Sequence, residues 1–218
     1  MHIRHHIQAQ LTAIDLRCTR GERTLFSGLT FTLNSGEIQQ ISGTNGSGKT
    51  SLLRILCGLS LPESGRILWS KKDIRPQSPE YFKNLFYLGH ANGIKSDLTP
   101  LENLQIYSKL AHPEPYMEPQ AALEKMELNK FQNDPCNTLS AGQLRRISIA
   151  RVLLTHAPLW ILDEPIAAID SSGIELVEEI FDKHISQNGM ILFTSHRTLG
   201  ANSSHNDIIE LSDFSSKI

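Results

Sequence analysis

"GTNGSGKTS", residues 43–51, is the stretch whose reading decides the fold. Its spacing, G-x-x-x-x-G-K-[ST], falls between "GEIQQISG" (36–43), which reads as a strand, and "KTSLLRILCGL" (49–59), which has helical spacing and a glycine near its end. A strand that turns sharply into a helix gathers the backbone N–H groups of loop and helix N-terminus into one concave nest. Such a nest favours phosphate oxygens. Gly43, Gly46 and Gly48 permit the tight turn and a close approach of backbone to ligand. Thr44, Asn45, Ser47 and Ser51 complete the nucleotide-binding stretch, Lys49 is placed for the β- and γ-phosphates, and the Thr50 hydroxyl for Mg²⁺. The alternative is a chance glycine-rich loop, which a correctly placed strand and helix leave little room for.

At 218 residues the chain fits one domain, or one domain carrying a subdomain, and buries a sizeable core. A formal charge of −2 argues against a broad basic face for nucleic acid, though not against a local phosphate site. Cys18, Cys57 and Cys136 are odd in number, far apart and without CxxC spacing. They are expected to be small buried hydrophobes in a reduced, cytoplasmic setting, not disulfides or zinc ligands. No stretch approaches the ~20 apolar residues that span a bilayer, so any membrane role has to come through a partner. The start, "MHIRHHIQAQ", lacks the apolar core of a signal peptide; His2, His5 and His6 read as a polar terminus, with metal or haem binding as the alternative.

"IQAQLTAIDLRC" (7–18) and "TLFSGLTFTLN" (24–34) alternate as half-buried strands do. "LTPLENLQIYSKLA" (98–111) and "PQAALEKMELNKF" (119–131) have helical periodicity, with "HPEPYMEP" breaking the pattern between them. A helical insert is therefore expected over about residues 91–150. Strand and helix alternate again in "PLWILDEP", "GIELVEEIFDKHI" and "GMILFTSH", whose short apolar strands suit a parallel sheet covered on both faces.

Two acids end the apolar run of "LWILDEP" (159–165), at the carboxyl end of a strand, where open α/β sheets bind ligands. Asp163 suits the Mg²⁺ shell, through water, and Glu164 suits activation of an attacking water. In "LSAGQLRRISIA" (139–150), the leading Leu139, Ser140, Ala141, Gly142 and Gln143 open an amphipathic helix. Ser140 and the Gly142 N–H can therefore cap a γ-phosphate. One domain has no second phosphate for this loop to meet beside its own phosphate loop. In this order and company the segment resembles the signature of ABC-type ATPases, with Ala141 where a second glycine is usual.

That resemblance covers essentially the whole chain. It implies an α/β P-loop NTPase domain over 1–218, with a mostly parallel core sheet, an N-terminal antiparallel β segment and a helical subdomain. It further implies a homodimer, head to tail, closing on two ATP molecules with Mg²⁺. Ser140 and Gly142 then act on the partner's nucleotide, Asp170 matches the loop that crosses between subunits, and His196 matches the switch histidine near the γ-phosphate.

His90, in "YLGHANGIK" (87–95), stands where most of the family carries a glutamine that contacts Mg²⁺ and the lytic water. Arg20 stands about where an aromatic usually stacks on adenine; an arginine plane can also lie on a purine, and Phe26 is near in sequence. The "GH..GIK" loop, "LTPLENL", "LSAGQLRR" and "AID" together resemble one subfamily, the ATP-binding subunit of the haem-handling ABC complex for cytochrome c maturation. The resemblance implies an ATPase on the cytoplasmic face of the inner membrane, bound to integral-membrane subunits, serving a haem chaperone indirectly, and with no nucleic-acid partner. An ABC subunit for another cargo and a soluble ABC-type ATPase stay open as rivals. A neutral imidazole offers a lone pair to a metal or water and a protonated one does not. If His90 fills the glutamine's role, His90→Gln flattens the acid limb of the ATPase pH profile; an unchanged limb refutes that role.

Overall fold

The computed structural model describes residues 9–75, 79–111, 116–196 and 206–215. Strand β1 (Gln10–Arg20) returns through a two-residue turn into β2 (Arg23–Asn34), pairing antiparallel with Arg20 opposite Arg23. Gly21 takes φ +62° at the first turn position, a backbone shape that β-branched or bulky residues resist. The other edge of β1 pairs with β4 (Ser64–Trp69), which pairs with the short β5 (Lys72–Asp73). This makes one antiparallel sheet, β2-β1-β4-β5.

The second sheet is parallel throughout. Its order is β6 (Leu85–Leu88), β7 (Leu159–Asp163), β8 (Met190–Thr194), β3 (Ile38–Ser42) and β9 (Asn206–Glu210). β7 and β8 are buried at every residue, as strands covered on both faces must be. Side chains alternate across the sheet, so each strand feeds two cores. Leu159 and Ile161 face the antiparallel sheet and helix α1 (Lys49–Leu56), while Trp160 and Leu162 face the helices on the other side.

Those helices are α3 (Pro100–Ala111), α4 (Pro119–Lys125), α5 (Ala141–Ala150) and α6 (Ser171–Ser186); the short α2 (Pro79–Lys83) precedes β6. The periodic run 119–131 does not continue as one helix. α4 stops at Lys125, Glu127 takes φ +56°, and a 3-10 turn covers Asn129–Phe131, which lets the fully buried Leu128 turn into the core. All three cysteines are free and buried.

At the end of α6, His184 lies flat on Trp160, ring centroids 3.5 Å apart, and its Nε2 meets the Pro158 carbonyl at 3.1 Å. Gly189 closes over the ring, leaving no room for a Cβ. Burial pushes the His184 imidazole down to about 4. The unfolded imidazole binds a proton from about pH 6.5 downward and the folded one only near 4, so stability falls as pH drops through that window. The loss from this group is expected to reach on the order of 2 kcal/mol at pH ~5. Urea unfolding at pH 7 and 5 checks it: His184→Phe should lose less stability in acid than the unmodified chain, and equal losses would clear His184.

Candidate nucleotide site

The loop that joins β3 to α1 carries the nest. Gly43 (φ +149°) lies so close to the Ser47 hydroxyl that a Cβ would meet it at 2.7 Å. Gly48 (φ +105°) is the residue that caps α1, and a Cβ there would meet the Leu25 side chain at 3.0 Å. Glycine is thus favoured at both ends of the loop by conformation, and a Cβ at either would crowd a neighbouring side chain. Lys49, 9% exposed, folds back so that Nζ donates to the carbonyls of Gly43 (2.6 Å) and Thr44 (3.3 Å). Those bonds occupy two of the ammonium's three donors and keep it at the mouth of the nest.

Beside the nest, one carboxylate joins three elements. Asp163 is 2% exposed at the end of β7. Its Oδ2 accepts from Thr50 Oγ1 at 2.8 Å, at the start of α1, and its Oδ1 accepts from Thr194 Oγ1 at 2.7 Å, at the end of β8. Thr194 Oγ1 also accepts from the Glu164 N–H at 2.9 Å. Glu164 takes φ +51°, costly for a residue with a side chain and sustained only where the surroundings determine it. Its carboxylate oxygen Oε1 is buried with no hydrogen-bond partner and lies 3.5 Å from Nε2 of His196. An acceptor left open in this way suits a water arriving from the cleft.

Asn45, Gly46, Gly48, Lys49, Thr50 and Ser51 line a cleft of about 500 Å³. Asp163, Glu164, His90 and His196 lie in the same cleft, so chain segments far apart in sequence meet there. Thr44 and Ser47 line an adjoining hollow instead, and Gly43 lines neither. Arg20 and Arg23 form one wall. Phe26 is fully buried, against the Gly48 backbone, so it has no face to offer a base.

Residues 139–143 do not line this cleft. Ser140 and Gln143 form a capping box at the start of α5: the Gln143 N–H donates to Ser140 Oγ (3.2 Å) and the Ser140 N–H to Gln143 Oε1 (2.8 Å). Ala141 is exposed, so its methyl obstructs nothing, whereas a Cβ on Gly142 would meet the Ala168 carbonyl at 2.6 Å. Leu139 packs against the helical core. Asp170 caps α6, its Oδ1 accepting from the Gly173 N–H at 3.2 Å. His2, His5 and His6 lie outside the described residues.

Besides Arg23 in the cleft wall, three residues with a part in this geometry were not singled out by sequence. Thr194 is one, visible only as a polar end to an apolar strand. Gln40, 4% exposed on β3, donates from Nε2 to the Ser195 carbonyl at 3.1 Å, beside His196. Arg145, 4% exposed, lies under the acids; its signal was a charge among the buried positions of α5.

A model of the ABC transporter family matches residues 26–167. The chain belongs to that family, as an ATP-binding cassette. Among its relatives, the cytochrome c biogenesis ATP-binding export protein CcmA of Escherichia coli K12 is 47% identical over 189 residues, covering 87% of this chain and 90% of the relative. The CcmA of Nitrosomonas europaea is 48% identical over 191 residues, covering 87% and 89%. An ABC transporter ATP-binding protein from Pyrococcus furiosus shares the fold with a TM-score of 0.80 at 23% identity, covering 95% of this chain and all of that one. The bacterial cassette MJ0796, solved as a dimer bound to ADP and Pi, has a TM-score of 0.72 at 21% identity, covering 86% and 88%.

Thr194→Val leaves Asp163 Oδ1 and the Glu164 N–H without their shared partner. We expect a loss of about 1–3 kcal/mol in unfolding free energy and a fall in ATP turnover. A variant with unchanged turnover would show that the hydroxyl does not hold Glu164 in place.

Proposed function

We infer that this chain is the ATP-hydrolysing subunit of an ABC transporter complex for cytochrome c biogenesis, coupling hydrolysis to haem export or to release of a haem-loaded chaperone. The observation that carries the haem assignment is identity near one half, across nearly nine-tenths of the chain, to cytochrome c biogenesis export ATPases. The observation that carries the hydrolytic assignment is the open carboxylate oxygen of Glu164, facing His196 at the edge of the phosphate nest.

The residues divide the work by position. Backbone N–H groups of 43–51 and the Lys49 ammonium hold the β- and γ-phosphates and offset the charge that develops in transfer. Glu164 accepts the proton of the attacking water, and His196 steadies both water and γ-phosphate. Arg20 and Arg23 offer planar cations to the purine.

Among the described residues no group of three or more His, Cys, Asp and Glu is arranged around a metal. Mg²⁺ needs no such cage, because it takes most of its oxygens from phosphate and water. Thr50 Oγ1 and Asp163 Oδ2, 2.8 Å apart, fit it: Thr50 would bind it directly, Asp163 through water, and His90 when neutral. Its chemistry there is neutralisation of charge on the phosphate oxygens.

The partners follow from the same reading. Ser140 and Gly142 meet the nucleotide of a second copy of the chain, with Asp170 at the crossing between them. Among the described residues no helix is long and apolar enough to cross a membrane. Attachment at the cytoplasmic face of the inner membrane is therefore assigned to integral-membrane subunits.

Glu164→Gln is expected to bind ATP normally while turnover falls by a factor of ~10²–10⁴, the usual worth of a general base. Wild-type turnover in that variant removes Glu164 as the base. Mass spectrometry of proteins captured by the same variant from native membranes with MgATP tests the cargo. Small integral-membrane proteins with a haem chaperone support the assignment, and a different permease overturns it.

A further inference from the structure

The guanidinium of Arg145 is buried where α5, β7 and the His90 loop meet, and its donors point two ways. Toward β7, Nη2 donates to the carbonyls of Asp163 and Glu164, the latter at 3.0 Å, and Nε to that of Pro165 at 3.2 Å. Toward the loop, Nη1 donates to the carbonyl of Gly89 at 3.3 Å and to Oδ1 of Asn92 at 3.2 Å. An arginine has five N–H donors, and each has an acceptor here. Two further side chains fasten the Asn92 carbonyl to the same helix and its 3-10 extension: Ser148 Oγ at 2.9 Å and Arg151 Nη1 at 3.0 Å.

The acceptors flank both groups that face the reacting phosphate. Gly89 and Asn92 bracket His90. The carbonyls of Asp163, Glu164 and Pro165 run through the left-handed residue that aims the Glu164 carboxylate. That backbone is held on its amide side by Thr194 and on its carbonyl side by Arg145. The helix that carries Arg145 begins at the Ser140 cap, and at Gly142 it touches the Ala168 carbonyl, four residues beyond Glu164.

We propose that Arg145 is a positioning residue for ATP hydrolysis, joining the signature helix, the turn at Glu164 and the His90 loop into one mechanical unit. This rests on the ATPase reading above. A displacement of α5 cannot leave the Glu164 carbonyl and the Asn92 side chain where they are, because one planar fork holds both. Movement at the Ser140 end therefore re-aims the acid and His90 together. A lysine at 145 keeps the charge but not the fork, so it can hold one side or the other.

Steady-state kinetics and nucleotide binding on the full chain test this. Arg145→Lys is expected to lower kcat by about 10²-fold, the cost of misplacing a reacting group by about an ångström. ATP affinity should stay within about twofold, since no acceptor of Arg145 is in the phosphate loop. In a Glu164→Gln background the same substitution should cost less than in the unmodified chain, because one of the two groups it aims is already gone. Asn92→Ala, at a half-exposed position, removes one acceptor and keeps the test open should Arg145→Lys not fold. It should lower kcat about fivefold, the worth of one hydrogen bond, with affinity unchanged. Wild-type kcat in Arg145→Lys, or in Asn92→Ala where Arg145→Lys does not fold, overturns the proposal, as does a loss of kcat matched by loss of ATP affinity. An unmodified chain that does not hydrolyse ATP overturns the ATPase reading as well, so the two failures are told apart by the unmodified protein.

Discussion

Asp163 is the point on which the site depends. A carboxylate 2% exposed costs several kcal/mol unless its oxygens are satisfied. Here the hydroxyls of Thr50 and Thr194 satisfy them. Because those hydroxyls belong to the phosphate-loop helix and to β8, the requirement ties two strand ends and the start of a helix into one surface. Thr194 passes the constraint on to the Glu164 amide. The geometry of the acid thus follows from the need to satisfy a buried charge.

The parallel sheet makes this possible by its alternation. One face of β7 and β8 packs on α1 and the antiparallel sheet, the other on the helices. Neither strand can shift by one residue without exchanging its two faces, so the register Asp163 opposite Thr194 is secure. Polar residues at the strand ends serve the site. Gln40 on β3 reaches the Ser195 carbonyl, and the buried Arg145 ties the acids to the His90 loop.

Several residues have a local structural part beside the one the family resemblance implies. Ser140 completes a capping box, Asp170 caps α6, and Gly142 makes room for the Ala168 carbonyl. These contacts hold the two helix N-termini in fixed places, so a partner's nucleotide would meet preformed donors. On the proposed reading, the closing interface would use Ser140 and Asp170, which are exposed, and the cleft residues would stay with the subunit's own nucleotide.

The order of elements was legible in residue patterns. The glycine spacing of 43–51 suits a strand–turn–helix, and the unbroken apolar run Leu159–Leu162 suits a strand buried on both faces. The sequence by itself therefore determined the phosphate nest, the two acids beside it and the α/β class. It could not place β4, β5 and β9, which lack a distinctive apolar run and are stable only when another strand pairs with them, nor end α4 at Lys125, where docking of Leu128 overrides helical periodicity. Phe26 looked available to a base because sequence distance ignores the loop that packs on top of it. Arg145, Thr194 and Gln40 came only from the tertiary structure, because a hydrogen bond joining segments many residues apart leaves no periodicity in either segment. Local conformational rules write themselves into neighbouring residues, whereas the satisfaction of buried charge is settled only when distant strands meet.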